Sequence, residues 1–368
     1  MAVIALTLLG DKCRRSAGSP RNTAFVKAVR EAMDENCPAG PSMLNSQMGA
    51  IMGPGKRLCA GLAAINLLAL PAAAQTPPVA PATSPFMLKM VGPGVYAAIG
   101  GPFGPNAGFI VGDDSVLVVD SFFDPATARA MLSEIRKITP KPIRYLVNTH
   151  YHIDHVSGDG VFKDAGAIII AHRNVRSWMR PENLRFVGQS ADTALQGRIA
   201  QLPLPDLVAE SPVTVWLGTR RIDIRPVQGH TGGDLVVGVA DAKVLFCGDM
   251  LWRMAPNTVD GTVSQWIDTE RSFERLPDAA SMVFVPGNGD VATVNDVAIF
   301  RSYLTDLMSL TAAGRKGGLK GDALAADVVP KLQALHAGYP APTPVVSREV
   351  TSMEQELDGT KRVPQPAP

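Results

Sequence analysis

Short apolar runs rich in β-branched residues recur along the middle of the chain. "GVYAAIG" (94–100), "NAGFIVG" (106–112) and "SVLVVD" (115–120) are separated by Gly, Pro and Asp. That pattern predicts consecutive strands joined by turns. The periodicity then changes: "PATARAMLSEIRKI" (125–138) has helical spacing and Pro at its start, where a missing N–H costs nothing. "PIRYLVNTH" (142–150) and "AIIIAH" (167–172) return to strand, with "GVFKDAG" between them, so strand and helix alternate here. A polar, weakly periodic stretch from about 174 to 210 reads as helical or irregular. Strands resume in "PVTVWLG", "RIDIRPVQGH", "DLVVGVA" and "KVLFCGDM", with Asp241 and Ala242 at a tight turn between the last two. "MVFVPGNGD" (282–290) is the last clear strand, 291–336 reads as helical, and the Pro-rich end from 341 to 368 is expected to be a poorly packed tail.

Composition narrows the class. Hydrophobic residues make up 46% and charged residues 19% of 368, with 34 Gly and 30 Pro, which fits a globular, turn-rich protein. A net charge of +1 and the lack of Lys/Arg runs argue against nucleic acid as a partner. Near the N-terminus, Lys56 and Arg57 precede 13 mostly apolar residues (58–70) and then "PAAAQ", where Ala72 and Ala74 suit signal peptidase before Gln75. Thirteen helical residues cannot cross a hydrocarbon core of roughly 30 Å, so a secretory signal at 52–74 is expected rather than a permanent membrane span. Its position suggests translation starting at Met43, Met48 or Met52, with 1–51 a non-native or disordered extension, 75–88 a Pro-rich spacer and 89–340 the folded domain. The exported protein, periplasmic or secreted, would carry 27 Lys/Arg against 30 Asp/Glu, a net charge of −3, and Cys247 as its one cysteine, without an internal disulfide. Oligomeric state is not legible.

The chemistry concentrates in "NTHYHIDHVSGDG" (148–160), which holds three of six histidines. His150 and His152 stand two apart, so on an extended backbone their side chains leave one side and can chelate a single ion. Asp154 and His155 follow, and His155, pointing elsewhere, suits a second ion nearby. Imidazole and carboxylate together fit zinc, iron or manganese. "QGHTGGD" puts His230, and "VLFCGDM" puts Asp249, at strand ends.

His-x-His-x-Asp-His, a later "GHT" and then "GD" after an apolar strand resemble the metallo-β-lactamase superfamily, from about Val95 to Asp290. The resemblance implies an α+β fold, a four-layer αββα sandwich with its metals along one edge of the sheets. It assigns His150, His152 and His230 to a first metal site, and Asp154, His155 and Asp249 to a second, with Asp249 bridging. Asp120 would support the metal loop without binding metal. Aspartate at 249 resembles the glyoxalase-type and general hydrolase branches, and Cys247 reads as a core residue. One departure stands out: where most members have histidine in a "PGHG" loop, this chain has "PGNG", leaving Asn288 as a weak second-site ligand through a neutral carbonyl. One firmly held Zn2+ with a weakened second site is therefore expected, iron or manganese remaining alternatives.

The expected reaction is hydrolysis, a metal-bound hydroxide attacking a lactam, lactone, ester or thioester carbonyl, with Asp154 and Asp249 as the catalytic groups that orient the nucleophile and handle its proton. A mononuclear iron sulfur dioxygenase and a metal-binding protein without catalysis are the competing readings. Trp252, Met254 and Trp266 are candidates for an apolar groove that takes a small-molecule substrate.

Overall fold

The computed structural model describes residues 84–101, 104–188 and 192–365. The expected extension, signal and spacer up to residue 83 lie outside the described residues. Seven strands form the first sheet in sequence order: β1 (Met87–Gly92), β2 (Val95–Ile99), β3 (Ala107–Val111), β4 (Val116–Val119), β5 (Ile143–Val147), β6 (Ile168–His172) and β7 (Leu207–Ala209). β1 to β4 form an antiparallel meander, and β4 to β7 run parallel. The second sheet has the order β12 (Val283–Asn288), β11 (Val244–Trp252), β10 (Asp234–Val239), β9 (Arg220–Val227), β8 (Val213–Leu217). All its pairs are antiparallel except β11 with β12.

The two sheets meet face to face through Val95, Leu117 and Ile170 on one side and Leu217, Ile224, Val237 and Phe246 on the other. Their outer faces are covered too. Helix α1 (Pro125–Ile138) lays Ala128, Met131 and Ile135 on the first sheet, while α7 (Val263–Glu274) and α8 (Val294–Lys316) cover the second with Trp266, Phe300 and Leu304. These are the expected four layers. Burial on both faces explains why "VLVV" and the "VLFC" that opens β11 are continuous apolar runs rather than alternating ones. α1 has the predicted bounds because Asp124 caps it, accepting from the Ala126 and Thr127 amides, with Pro125 in its first turn.

Short helices fill the connections: α2 (Ile153–Val156) and α3 (Asp159–Asp164) after β5, then α4 (Arg173–Trp178), α5 (Pro181–Val187) and α6 (Thr193–Ala200) between β6 and β7. After β12 come α8, α9 (Gly321–Leu335) and α10 (Thr343–Leu357). Two boundaries differ from the sequence expectation. The fold begins before 89, since β1 starts at Met87 and the buried Phe86 stacks on Phe122 at 5.4 Å. Nor are residues 343–365 a loose tail: α10 buries Val346, Val350 and Met353 at helical spacing, and Arg362 and Gln365 contact α5 and α4.

Candidate metal centre

Most of the side chains that converge on the centre sit at or just past strand ends, while Asp249 lies within its strand. β5 runs into His150 and His152, β4 ends at Asp120, β11 carries Asp249, β12 ends at Asn288, and His230 lies in the turn between β9 and β10. Asp120 adopts a left-handed backbone, φ 58°, which turns its carboxylate back under the histidine loop. On β11 a register shift at Gly248, itself at φ 52°, breaks the strand's alternation. Cys247 therefore packs into the helix-side core while Asp249 faces the centre.

Four donor groups meet there: His150, His152, His230 and Asp249, all buried, with their ligand atoms within 4.8 Å of one another. His230 Nε2 is 2.9 Å from His152 Nδ1 and 3.4 Å from Asp249 Oδ2, and His150 Nε2 is 3.8 Å from Asp249 Oδ2. Tetrahedral metal ligands at ordinary zinc distances stand about 3.3–3.6 Å apart, so this spacing fits one small cation. The predicted second set lies alongside. His155 Nε2 is 3.2 Å from Asp249 Oδ1 and 3.7 Å from Asp154 Oδ2, so the two Asp249 oxygens face different clusters.

Two buried carboxylates determine which ring nitrogens are bare. Thr149 Oγ1 gives its proton to Asp120 Oδ2 at 2.8 Å, so toward His150 Nδ1, 3.1 Å away, it can only accept. His150 Nδ1 then carries the hydrogen and Nε2 is left as a lone-pair donor. Asp120 Oδ2 also accepts from His155 Nδ1 at 3.0 Å, which frees His155 Nε2. His150 Nε2 is buried without a hydrogen-bond partner, the condition of a group awaiting a cation, while His155 Nε2 faces the Asp249 carboxylate at 3.2 Å. On the other side Asp260 Oδ2 accepts from His152 Nε2 at 3.2 Å, turning His152 Nδ1 inward.

For two of the rings the electrostatics agree; the other two carry a pull toward the protonated form that a cation would replace. Burial and the neighbouring imidazoles hold His150 well below the ordinary histidine range, and burial does the same for His230, so both are neutral ligands. Burial also depresses His155 and His152, but carboxylates outweigh it: Asp249 and Asp154 push His155 well up, and the Asp260 hydrogen bond raises His152. Burial lifts the Asp249 carboxyl, opposed chiefly by His155. Uncompensated carboxylate charge beside imidazoles is what a divalent cation would offset.

Asn288 is fully buried beside Asp249. Its Nδ2 donates to Asp249 Oδ1 at 3.0 Å, and its Oδ1 has no partner. An N–H thus competes for the carboxylate oxygen that the second cluster needs. Asn106, which the sequence did not flag, holds this loop by donating to the Pro286 and Gly289 carbonyls. Also unflagged are Asp260, Arg185 and Tyr151. Arg185 Nη2 donates to Asp260 Oδ1 at 2.8 Å and Tyr151 OH to Oδ2 at 2.6 Å, contacts across 75 and 109 residues that no local motif announces.

A groove beside the centre is lined by Ile153, Asn183, Phe186, Trp252 and Asn257 next to His152, Asp154 and Asp249. Of the three apolar candidates only Trp252 reaches it; Met254 and Trp266 are core residues, Trp266 packing its ring 5.3 Å from that of His230. His172 caps α4 and His336 pairs with Asp306, both away from the centre.

Two facing sheets under helical layers, with a buried three-imidazole and carboxylate cluster at the strand ends, define a metallohydrolase. The chain belongs to the metallo-β-lactamase superfamily, whose family model matches residues 100–288, just over half of it. It is 26% identical over 155 residues to a probable metallo-hydrolase, YqgX, of Bacillus subtilis, covering 42% of this chain and 69% of that protein. It is 29% identical over 175 residues to a hydroxyacylglutathione hydrolase of Gloeobacter violaceus, covering 47% of this chain and 60% of that relative's length. A solved metallo-β-lactamase from Pontibacter korlensis superposes with a TM-score of 0.50 at 18% identity, over 60% of this chain and 99% of that one, a likeness of fold.

Proposed function

We propose that the protein is an exported thioester hydrolase working with one firmly held zinc ion. The observation that carries the metal-dependent part is the convergence of His150 Nε2, His152 Nδ1, His230 Nε2 and Asp249 in one buried cluster. A bound zinc ion supplies a Lewis acid for the substrate carbonyl and an acidified water near neutral pH. The chain's own groups do the rest. Asp249 Oδ2, within the first cluster, and Asp154 Oδ2, at the groove, orient the attacking water and take its proton. Ile153, Phe186 and Trp252 hold the acyl chain and keep bulk water from it. Asp120 and Asp260 keep the rings aimed.

Two observations support the finer points. Asn288 donating to Asp249 Oδ1 favours one ion over two. The relative named for hydrolysing a hydroxyacyl derivative of glutathione supports an acyl–thiol substrate. Export rests on the apolar segment before Gln75.

The test is a substrate panel (acyl thioesters, esters, lactones and a chromogenic cephalosporin) assayed with zinc, manganese and iron added separately, alongside metal analysis. Thioester cleavage with zinc is expected, and His150→Ala should lose both metal and turnover. A preference for the cephalosporin would overturn the substrate class, and oxygen uptake on a persulfide with iron would overturn hydrolysis altogether. N-terminal sequencing of the protein from its native host should begin at Gln75; retention of residues 52–74 would refute export.

A further inference from the structure

The end of the chain returns to the metal centre along a ladder of charged hydrogen bonds. Beyond α10, Arg362 forks onto Glu182 of α5, Nη2 to Oε1 at 2.7 Å and Nη1 to Oε2 at 3.0 Å. Glu182 Oε2 also accepts from Arg185 Nε at 2.7 Å. Arg185 Nη2 reaches Asp260 Oδ1, and Asp260 Oδ2 holds His152 Nε2. The two ends differ sharply in exposure, 53% for the Arg362 side chain and 1% for Asp260, with Glu182 at 12% and Arg185 at 37% between them.

The same segment fixes the loop that carries Asp260 from both sides. Ser352 Oγ donates to the Thr258 carbonyl at 2.8 Å, two residues before it. Glu356 accepts from the Val263 and Ser264 amides at 2.8 and 3.1 Å, capping α7 just after it, and its Oε2 lies 3.3 Å from the buried Lys361 ammonium. A carboxylate at a helix N-terminus takes up donors the helix leaves unpaired.

We propose that residues 352–365 are part of the scaffold of the metal centre, with Arg362 a positioning residue for His152 that acts through Glu182, Arg185 and Asp260. The physical reason is geometric. Asp260 can select the His152 tautomer only while its carboxylate is held in the plane of the ring, and its other oxygen is held by Arg185. A guanidinium that donates to two carboxylates at once is fixed in plane when both are fixed. Glu182 is fixed by the Arg362 fork. Removing that fork lets Glu182 and Arg185 swing, and the aim of His152 Nδ1 loosens without any ligand being altered.

The proposal rests on the metal-centre reading, and its test separates the two. Zinc affinity is measured by competition with a chromophoric chelator for the parent, Arg362→Ala, Asp260→Asn and the double variant, together with the thermal midpoint of each metal-free protein. Losing a direct partner of a ligating histidine weakens metal binding by about 10–100-fold, the effect expected for Asp260→Asn. Arg362→Ala, three contacts further out, should weaken it by a smaller factor with little change in the metal-free midpoint. In the Asp260→Asn background Arg362→Ala should have no further effect, since the ladder is already cut. Arg362→Lys keeps the charge but not the fork and should recover part of the loss; Glu182→Gln should reproduce it. Parent-like zinc affinity in Arg362→Ala, or the same loss in both backgrounds, would overturn the proposal while leaving the metal centre intact. Failure of the parent itself to bind zinc would instead overturn the metal reading.

Discussion

Gly287→Ala tests how tightly Asp249 is seated. A Cβ at 287 would lie 1.9 Å from Asp249 Oδ1, 2.7 Å from the Gly248 carbonyl carbon and 2.8 Å from the Asp249 amide nitrogen. Ordinary contacts are about 3.5 Å, so the methyl overlaps the carboxylate by roughly 1.5 Å and two backbone atoms by about 0.7 Å. The carboxylate alone could rotate, but the backbone has nowhere to go: any Cβ at Gly248 would already sit 2.5 Å from Thr149, so that residue has no slack on its far side. Asp249 must therefore shift by about 1 Å, a misplacement that costs on the order of 100-fold in turnover. Overpacking should also cost about 1–3 kcal/mol of stability. Gly197→Ala is the control, since a Cβ there meets nothing within 4 Å, and in α6 alanine should stabilise by about 0.5–1 kcal/mol. The assay is kcat/KM on the best panel substrate, with zinc content and thermal midpoint on the same samples. Gly287→Ala protein with full metal and kcat/KM within a few-fold of the parent would show that Asp249 is not confined as described.

Asp120→Asn replaces an acceptor of three donors, the Thr149 amide, Thr149 Oγ1 and His155 Nδ1, with a group that presents an N–H to one of them; chelator competition should show zinc held about 10–100-fold more weakly. Asn288→His removes the N–H from Asp249 Oδ1 and offers an imidazole in its place; metal analysis should show zinc content rising above one equivalent. Burial pushes Glu349, which accepts from Tyr303 OH at 2.5 Å, up to about 8 from an ordinary 4.5. Its folded pKa is raised, so the stability it confers is full at acid pH and declines between about 4.5 and 8, at about 1.4 kcal/mol per pH unit. Glu349→Gln keeps the hydrogen bond and loses the titration, so its thermal midpoint should hold from about pH 5 to 8 where that of the parent falls; parallel profiles would refute the assignment.

The centre was legible where its geometry is local. His150, His152, Asp154 and His155 lie within six residues, so the end of one strand and the short helix after it keep them together, and the strands of both sheets announce themselves as apolar runs between turns. β1 was missed because "MLKMVG" is half exposed and follows a Pro-rich stretch, and α10 because Pro342 and Pro344 read as a tail although proline is tolerated at a helix start. There composition masked the spacing of Val346, Val350 and Met353, the feature that decides burial. What sequence could not supply is orientation. A histidine has two nitrogens, and which one faces the metal depends on the partner of the other. For His152 that partner is Asp260, 108 residues away, itself held by α5 and by the returning C-terminal segment. The motif therefore names the candidate ligands and, in Asp120, the support of His155, while the hydrogen bond that aims His152 comes from a part of the chain that carries no motif. Substitutions at Asp260, Glu182 or Arg362 should accordingly alter metal affinity with every motif residue intact.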